Sequence, residues 1–406
     1  MQLNLQYAQT TSYKNIAKAL LGVGVLVFLL GLFTLGLSKD PVENMRFWAG
    51  LLHNSVYFLL VVNASMFFVC ATILAMGGWV IGLRRIPEAL SKAVPIMGVL
   101  TLIILIILMF KGDGIYQHWI SEHASHDKLI QHKKPFLTKP FFIIWSILTV
   151  GLWSLLGAKM RNISREADSV ATRGDSKKWL YKNTIWAALF LAWYGLTTAS
   201  TTPWLWIMSI DAHWFSTMFS WYMFISSFVA GMSFVALYII YLKNQGYLEF
   251  VNEEHLHDIG KFMFAFSVFW TYLWFSQYML IWYSNQPEET KHFMPQVRGA
   301  YRGLFFLNLI INFLAPLLIL MRRSGKRNYS TMTFMAIVLI FGHWIDYYIN
   351  IMPYTMGNRA EMSWYEFGLL AGFVGLIMFL TGMNLEKAPL LAKAHPFVKE
   401  SVIHHV

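Results

Sequence analysis

Long apolar runs alternate with short polar stretches from one end of the chain to the other. A helix needs about 20 apolar residues to cross a bilayer. Runs of that length fall roughly at 16–37, 46–82, 90–111, 139–159, 182–203, 213–242, 258–284, 300–321, 331–351 and 364–383. The second, sixth and seventh are longer than a bilayer requires and must tilt or project into water. The pattern predicts an all-α integral membrane protein of about ten transmembrane helices.

The second and sixth runs match at a fixed offset of 166 residues: Trp48, Phe58, Ala64, Met66 and Phe68 meet Trp214, Phe224, Ala230, Met232 and Phe234. Four spans separate the two, so the expectation is a parallel repeat of two four-helix bundles, spans 2–5 and 6–9, flanked by one helix at each end. The corresponding divisions are 1–45 (N-terminal segment and first span), 46–203 (first bundle, with a loop at 112–138), 204–351 (second bundle) and 352–406 (last span and tail).

Composition sharpens this picture. Only 13% of residues are charged, about half the share in a soluble domain, which excludes a large soluble core. The polar N-terminus leads into a first run that lacks a small-residue cleavage site, so that run is expected to stay as a span. The single cysteine, Cys70, excludes a disulfide framework, a four-cysteine iron–sulfur cluster and C-x-x-C-H haem attachment. The net charge of +11 fits basic loops facing anionic lipid, and no basic–aromatic motif points to nucleic acid. Roughly two thirds of the Lys and Arg fall on the side that holds both termini, which should therefore be cytoplasmic. The densest basic loop, 158–179, lies on that side. No G-x-x-x-x-G-K, H-E-x-x-H or G-x-S-x-G occurs, so hydrolase and nucleotidase chemistry is not expected.

Polar residues inside the spans carry the candidate chemistry. In FGHWIDYYINIMP (341–353), His343, Asp346, Tyr347 and Asn350 share one helix face. A carboxyl in mid-membrane costs about 2.5–3.5 kcal/mol on insertion scales, so such residues are seldom idle. Asp211 and His213 stand at the outer mouth of the sixth span. Asn308 and Asn312 follow at i, i+4 in the eighth, and Ser267 and Thr271 in the seventh, with Tyr272, Ser276 and Gln277 nearer the outside. Together they could line a hydrated half-channel, since imidazole and carboxyl exchange protons near neutral pH once their surroundings shift them. The competing reading is a structural His343–Asp346 tie. At the cytoplasmic side, EFVNEEHLHDIGK, with Asp258 and Lys261, reads as a solvated helix start or a proton-collecting mouth. His53 lies about as deep as His343, which raises a b-type haem. The repeat places the two in different bundles, and neither has a second histidine partner. His118, His123, His126 and His132 of the long outer loop match no zinc spacing. That loop reads as an amphipathic segment docking on a partner.

Two stretches, LIQHKKPFLTKPFF (129–142) and PWLWIMSIDAHWFSTMFSWYMF (203–224), resemble the membrane subunits of bacterial alternative complex III. Those subunits belong to the polysulfide-reductase membrane-anchor (NrfD-like) family. The resemblance covers spans 2–9. That complex has two such membrane subunits, and the moderate length and short tails here are more similar to the smaller than to its larger sister. The resemblance implies two four-helix bundles in an inner-membrane quinol:electron-acceptor oxidoreductase that oxidises menaquinol. Haem and iron–sulfur clusters would sit on partner subunits: a periplasmic iron–sulfur protein, c-type cytochromes, a sister NrfD-like subunit and a terminal oxidase. No matched set of quinone residues is found; His53 and Asn54 are the candidate vicinity for a menaquinone. The chain then reads as an assembly subunit with a proton path. Two rivals stand beside it: a secondary transporter, which would favour inverted repeats and broken helices, and an anchor with no path.

Overall fold

The computed structural model describes residues 5–111, 114–166, 173–359, 362–391 and 395–405; residues 167–172 of the densest basic loop lie outside them. Among the described residues the protein is all helical. Among the same residues, eight helices are long and apolar enough to cross a membrane: α1 (Thr11–Gly36), α2 (Pro41–Leu74), α3 (Arg85–Phe110), α4 (Lys139–Glu166), α6 (Met218–Asn244), α8 (Arg302–Leu320), α9 (Tyr329–Met356) and α10 (Trp364–Leu385). Two further long helices, α5 (Arg173–Leu196) and α7 (Glu253–Ser284), pack among them and are less apolar, carrying Lys177, Lys178 and Lys182 or Glu253, Glu254 and Asp258 toward their starts.

Helix ends follow local chemistry. Asp40 caps α2 by accepting from Val42 N (2.9 Å), with Pro41 in the first turn, where its missing N–H costs nothing. Ser363 and Glu366 form a capping box on α10. Prolines shape two irregular turns. Pro316 cannot donate to the carbonyl of residue 312, and α8 widens into a π turn over Ile310–Leu314. Pro203 follows a similar turn at Thr197–Thr201.

The connections gather at two ends. At one, which holds both chain termini, Leu390 N donates to Leu5 O (2.8 Å), Ser401 Oγ to Trp79 O (2.7 Å), and His404 meets Asp258 (2.7 Å). At the far end, Lys133 reaches Ala212 O (2.6 Å), Asp211 meets His292 (2.9 Å), and Arg46 pairs with Glu366 (2.9 Å). Helix α2 packs against α3 and α5, α3 against α4, and α4 against α5. Helix α6 packs against α7 and α9, and α8 against both α7 and α9. Helices α2 and α6 meet at the centre, and α2 also touches α9, while α1 pairs with α10 outside. Burial follows this order: the most apolar stretch of α6 is 94% buried, that of α1 only 17%. Gly231 of α6 lies so close to α2 that a Cβ there would stand 3.0 Å from Val61 O and 3.2 Å from Ala64 Cβ.

Candidate functional site

Asp346 occupies mid-α9 with no exposed surface. Its Oδ1 accepts from the Tyr222 hydroxyl and from Asn308 Nδ2 (2.9 Å). Its Oδ2 accepts from Ser226 Oγ (2.7 Å) and Trp270 Nε1 (3.0 Å). The donors come from three helices, α6, α7 and α8, and all are neutral. No ion pair to Asp346 occurs among the described residues. Burial disfavours a carboxylate here, and four donors favour it.

His343, one turn nearer the terminal end, is equally buried and does not bond Asp346 directly. Ser226 joins them, with its Oγ 3.0 Å from His343 Nδ1. A hydroxyl has one proton to give. If Ser226 donates it to Asp346, His343 must carry its own proton on Nδ1 and leave Nε2 as an acceptor. That Nε2 has no partner, and neither do Ser267 Oγ of α7 and Asn312 Oδ1 of α8. All three lie one turn from the Asp346 layer toward the terminal end. Trp270, which follows Ser267 by one turn, sets its ring edge-on to His343 at 5.7 Å. Asn312 donates to Asn308 Oδ1 (2.6 Å), and a Cβ on Gly342 would stand 2.3 Å from Asn312 Oδ1, so the α8–α9 approach requires glycine.

Not every residue of the expected polar face joins this network. Asn350 Nδ2 donates to the Asp346 backbone carbonyl (2.8 Å) and not to its carboxyl. Tyr347 donates to Met223 O (3.0 Å) on another side of α9. Thr271 bonds back to Ser267 O (2.9 Å), which satisfies its hydroxyl inside its own helix. Tyr272 is 62% exposed and faces outward. Tyr222, Ser226 and Trp270 were not singled out from the sequence; the only signal is a pair of hydroxyls at i, i+4 in SWYMFISSF.

At the far end Asp211 and His213 take separate partners. His213 pairs with Asp127 (2.5 Å) of the outer loop, and this hydrogen bond holds the Asp127 carboxyl below the usual range. Asp211 accepts from His292 Nδ1, whose ring is stacked on Trp214 at 3.6 Å. Burial raises the Asp211 carboxyl, but the His292 hydrogen bond and the charges of His292, His118 and His213 outweigh it and leave it low. Burial pushes His292 down in turn, against the pull of Asp211. The outer loop thus folds onto its own chain: Lys133 on Ala212, and Tyr116 on Trp206 O (2.6 Å). Among the described residues no group of three or more His, Cys, Asp or Glu is placed to hold a metal.

At the terminal end the stretch expected as a solvated helix start is covered instead. Asp258 is 4% exposed; it is bonded to His404 of the C-terminal tail and paired with the half-exposed Lys261 (2.5 Å). Glu254 pairs with Arg327 and Arg323. The tail and the α8–α9 connection supply partners that a window of local sequence does not show.

His53 and Asn54 serve α9. His53 Nε2 lies 2.9 Å from Trp344 O, and Asn54 Oδ1 accepts from Trp344 Nε1 (2.9 Å). An apolar groove of ≈ 460 Å³ runs between α1, α2, α3 and α10, lined by Phe28, Phe47, Trp48, Leu51, Ile104 and Phe373. Its walls are hydrocarbon; His53 Nε2 and Asn54 Oδ1 engage α9, Asn54 Nδ2 donates to Gly50 O (2.9 Å), and His53 Nδ1 has no partner among the described residues. Compared with known proteins, the chain matches no family model and no curated sequence.

Proposed function

We propose that the chain is a membrane subunit of a quinol:electron-acceptor oxidoreductase of the NrfD-like kind, and that the buried network around Asp346 is a proton relay. The observation that carries the relay is the bridged series His343 Nδ1–Ser226 Oγ–Asp346 Oδ2, closed to solvent and free of any cation. A proton arriving at His343 Nε2 lets the Nδ1 proton pass to Ser226 as the Ser226 proton passes to Asp346. The products are a neutral imidazole and a neutral carboxylic acid. Nε2 and two further unpartnered atoms of the same layer, Ser267 Oγ and Asn312 Oδ1, give such a proton, carried by water, a polar place to arrive.

Two packing features favour this family reading. The α2–α5 and α6–α9 neighbourhoods each close on themselves, as two four-helix bundles within ten spans would. The close approach of α2 and α6 sets Gly231 against Val61, Ala64 and Ser65, and Ser65 is the position equivalent to Gly231 under the 166-residue offset. Two parallel repeats meeting about a two-fold axis would touch at such equivalent points. In this reading the terminal end is cytoplasmic, the membrane is the bacterial inner membrane, and the redox centres lie on partner subunits. A menaquinone site in this chain has less support, because His53 Nε2 and Asn54 Oδ1 are already committed to Trp344, which leaves only His53 Nδ1 without a partner among the described residues.

A purely structural anchor is the second reading. It is favoured by the closure of the Asp258 end and by the full set of partners on Asp346. The measurement that separates the two is proton release per electron in the reconstituted complex. Asp346→Asn keeps shape and removes the acid; a relay predicts lower release with assembly intact, and unchanged release overturns it. Isolation of the chain without any redox subunit would overturn the family reading.

A further inference from the structure

The strongest unassigned charge imbalance lies at the terminal end, where α3, α4 and α10 converge. A shallow cleft of ≈ 20 Å³ there is lined by Arg85, Glu88, Lys92, Arg161, Arg165 and the last turn of α10. The one carboxylate lining it among the described residues, Glu88, is already engaged: Arg84 Nε lies 2.7 Å away, Arg85 3.6 Å, and Ser164 Oγ 2.9 Å. Arg161 is 9% exposed, yet its guanidinium bonds a neutral hydroxyl, Ser91 Oγ (3.1 Å), and forms no ion pair among the described residues. Lys92 is half-buried, and Lys387, Arg165 and Arg161 all stand close enough to repel its ammonium. Glu88 stands near enough to favour the Arg161 charge but is shared with Arg84 and Arg85, so this partly buried group of cations is short of anions, which is costly unless one joins it.

The geometry points to a binding site for the phosphodiester head group of an anionic phospholipid, held by Lys92, Arg161 and Arg165. Position selects lipid over a free anion. Each wall is the end of an apolar helix, so the cleft lies where hydrocarbon gives way to water and where acyl chains can continue beside α3, α4 and α10. Its shallowness suits a phosphate laid across the mouth, with guanidinium groups giving paired hydrogen bonds to its oxygens. This inference is independent of the relay.

The test uses the full chain in neutral detergent. Thermal unfolding is followed against added phosphatidylglycerol, phosphatidylcholine or inorganic phosphate. The wild type should prefer phosphatidylglycerol to phosphatidylcholine, with little response to phosphate. Lys92→Gln/Arg165→Gln alters two side chains with solvent access, and should unfold normally without lipid. Removing two charges near the membrane surface should weaken the phosphatidylglycerol response about thirty-fold. Lys177→Gln/Lys178→Gln, exposed at the same end, should leave it unchanged. An equal response to inorganic phosphate overturns the lipid assignment. An undiminished preference in the first double variant, or an equal loss in the second, overturns the site.

Discussion

The two groups of helices are tied together by different chemistry. Between its ends, the α2–α5 group is joined by indoles and hydroxyls. Trp153 donates to Thr197 (2.9 Å), Trp206 to Ser146 (2.8 Å) and Trp145 to Thr201 (3.0 Å). The α6–α9 group uses the same donor types, Trp270, Tyr222 and Ser226, but aims them at a carboxyl. Both groups leave buried hydroxyls without partners, Thr149 and Tyr194 in one and Ser267 in the other, so an unpaired hydroxyl does not distinguish them. What distinguishes the second group is an ionisable acceptor with an imidazole one hydroxyl away. Midway along its helices the first group is joined without charge; charge ties it only near the terminal end, where Glu88 of α3 meets Arg84, Arg85 and Ser164 of α4. Asp346 is the ionisable acceptor that the proposed relay uses and that the middle of the first group lacks.

That contrast can be broken most directly at Asp346. Asp346→Leu removes the common acceptor of four buried donors and should cost about 3–5 kcal/mol, read as a lower unfolding midpoint in detergent. Asp346→Asn should fold with a much smaller loss. Ser226→Ala comes next: it spares three of the four donors to Asp346, costs about 1–2 kcal/mol, and should lower proton release nearly as far as Asp346→Asn. A structural role predicts the stability loss alone. In the neutral group, Thr197→Val strands the Trp153 indole and should cost about 1 kcal/mol with no effect on proton release. If Thr197→Val and Asp346→Leu destabilise equally, the two groups are tied alike and the contrast fails.

Legibility in the sequence followed the strength of the signal. A 20-residue apolar run has few structural alternatives, so the eight most apolar helices could be read directly. Asp346, His343 and Asn308 stood out because such groups are rare in apolar runs. Tyr222, Ser226 and Trp270 did not, because hydroxyls and indoles are common in membrane helices and helical spacing does not tell which face meets a partner. Thr271 misled for a related reason: at i+4 from Ser267 it shares the polar face, but its hydroxyl is satisfied by the preceding turn. The Asp258 surroundings and the Asp211–His292 contact depend on pairs separated by 146 and 81 residues. No local window could have joined them.

The smallest predicted effect concerns that last contact, which links the segment entering α6 to the α7–α8 connection. Burial holds His292 below its ordinary value, so the folded protein takes up this proton less readily than the unfolded chain. Stability should therefore fall as pH drops through about 6.5, where an unfolded histidine titrates, and rise again with pH. Asp211, held low, acts in the same direction but only below about pH 4. Between pH 7.5 and 5.5 the wild-type unfolding midpoint should thus decline more steeply than that of His292→Phe, which keeps a flat ring against Trp214 but cannot titrate. A wild-type midpoint that rises on acidification would mean that His292 and Asp211 gain from a charged pair. The far end of the α6–α9 group would then hold a charged pair as well as the ionisable group in its interior.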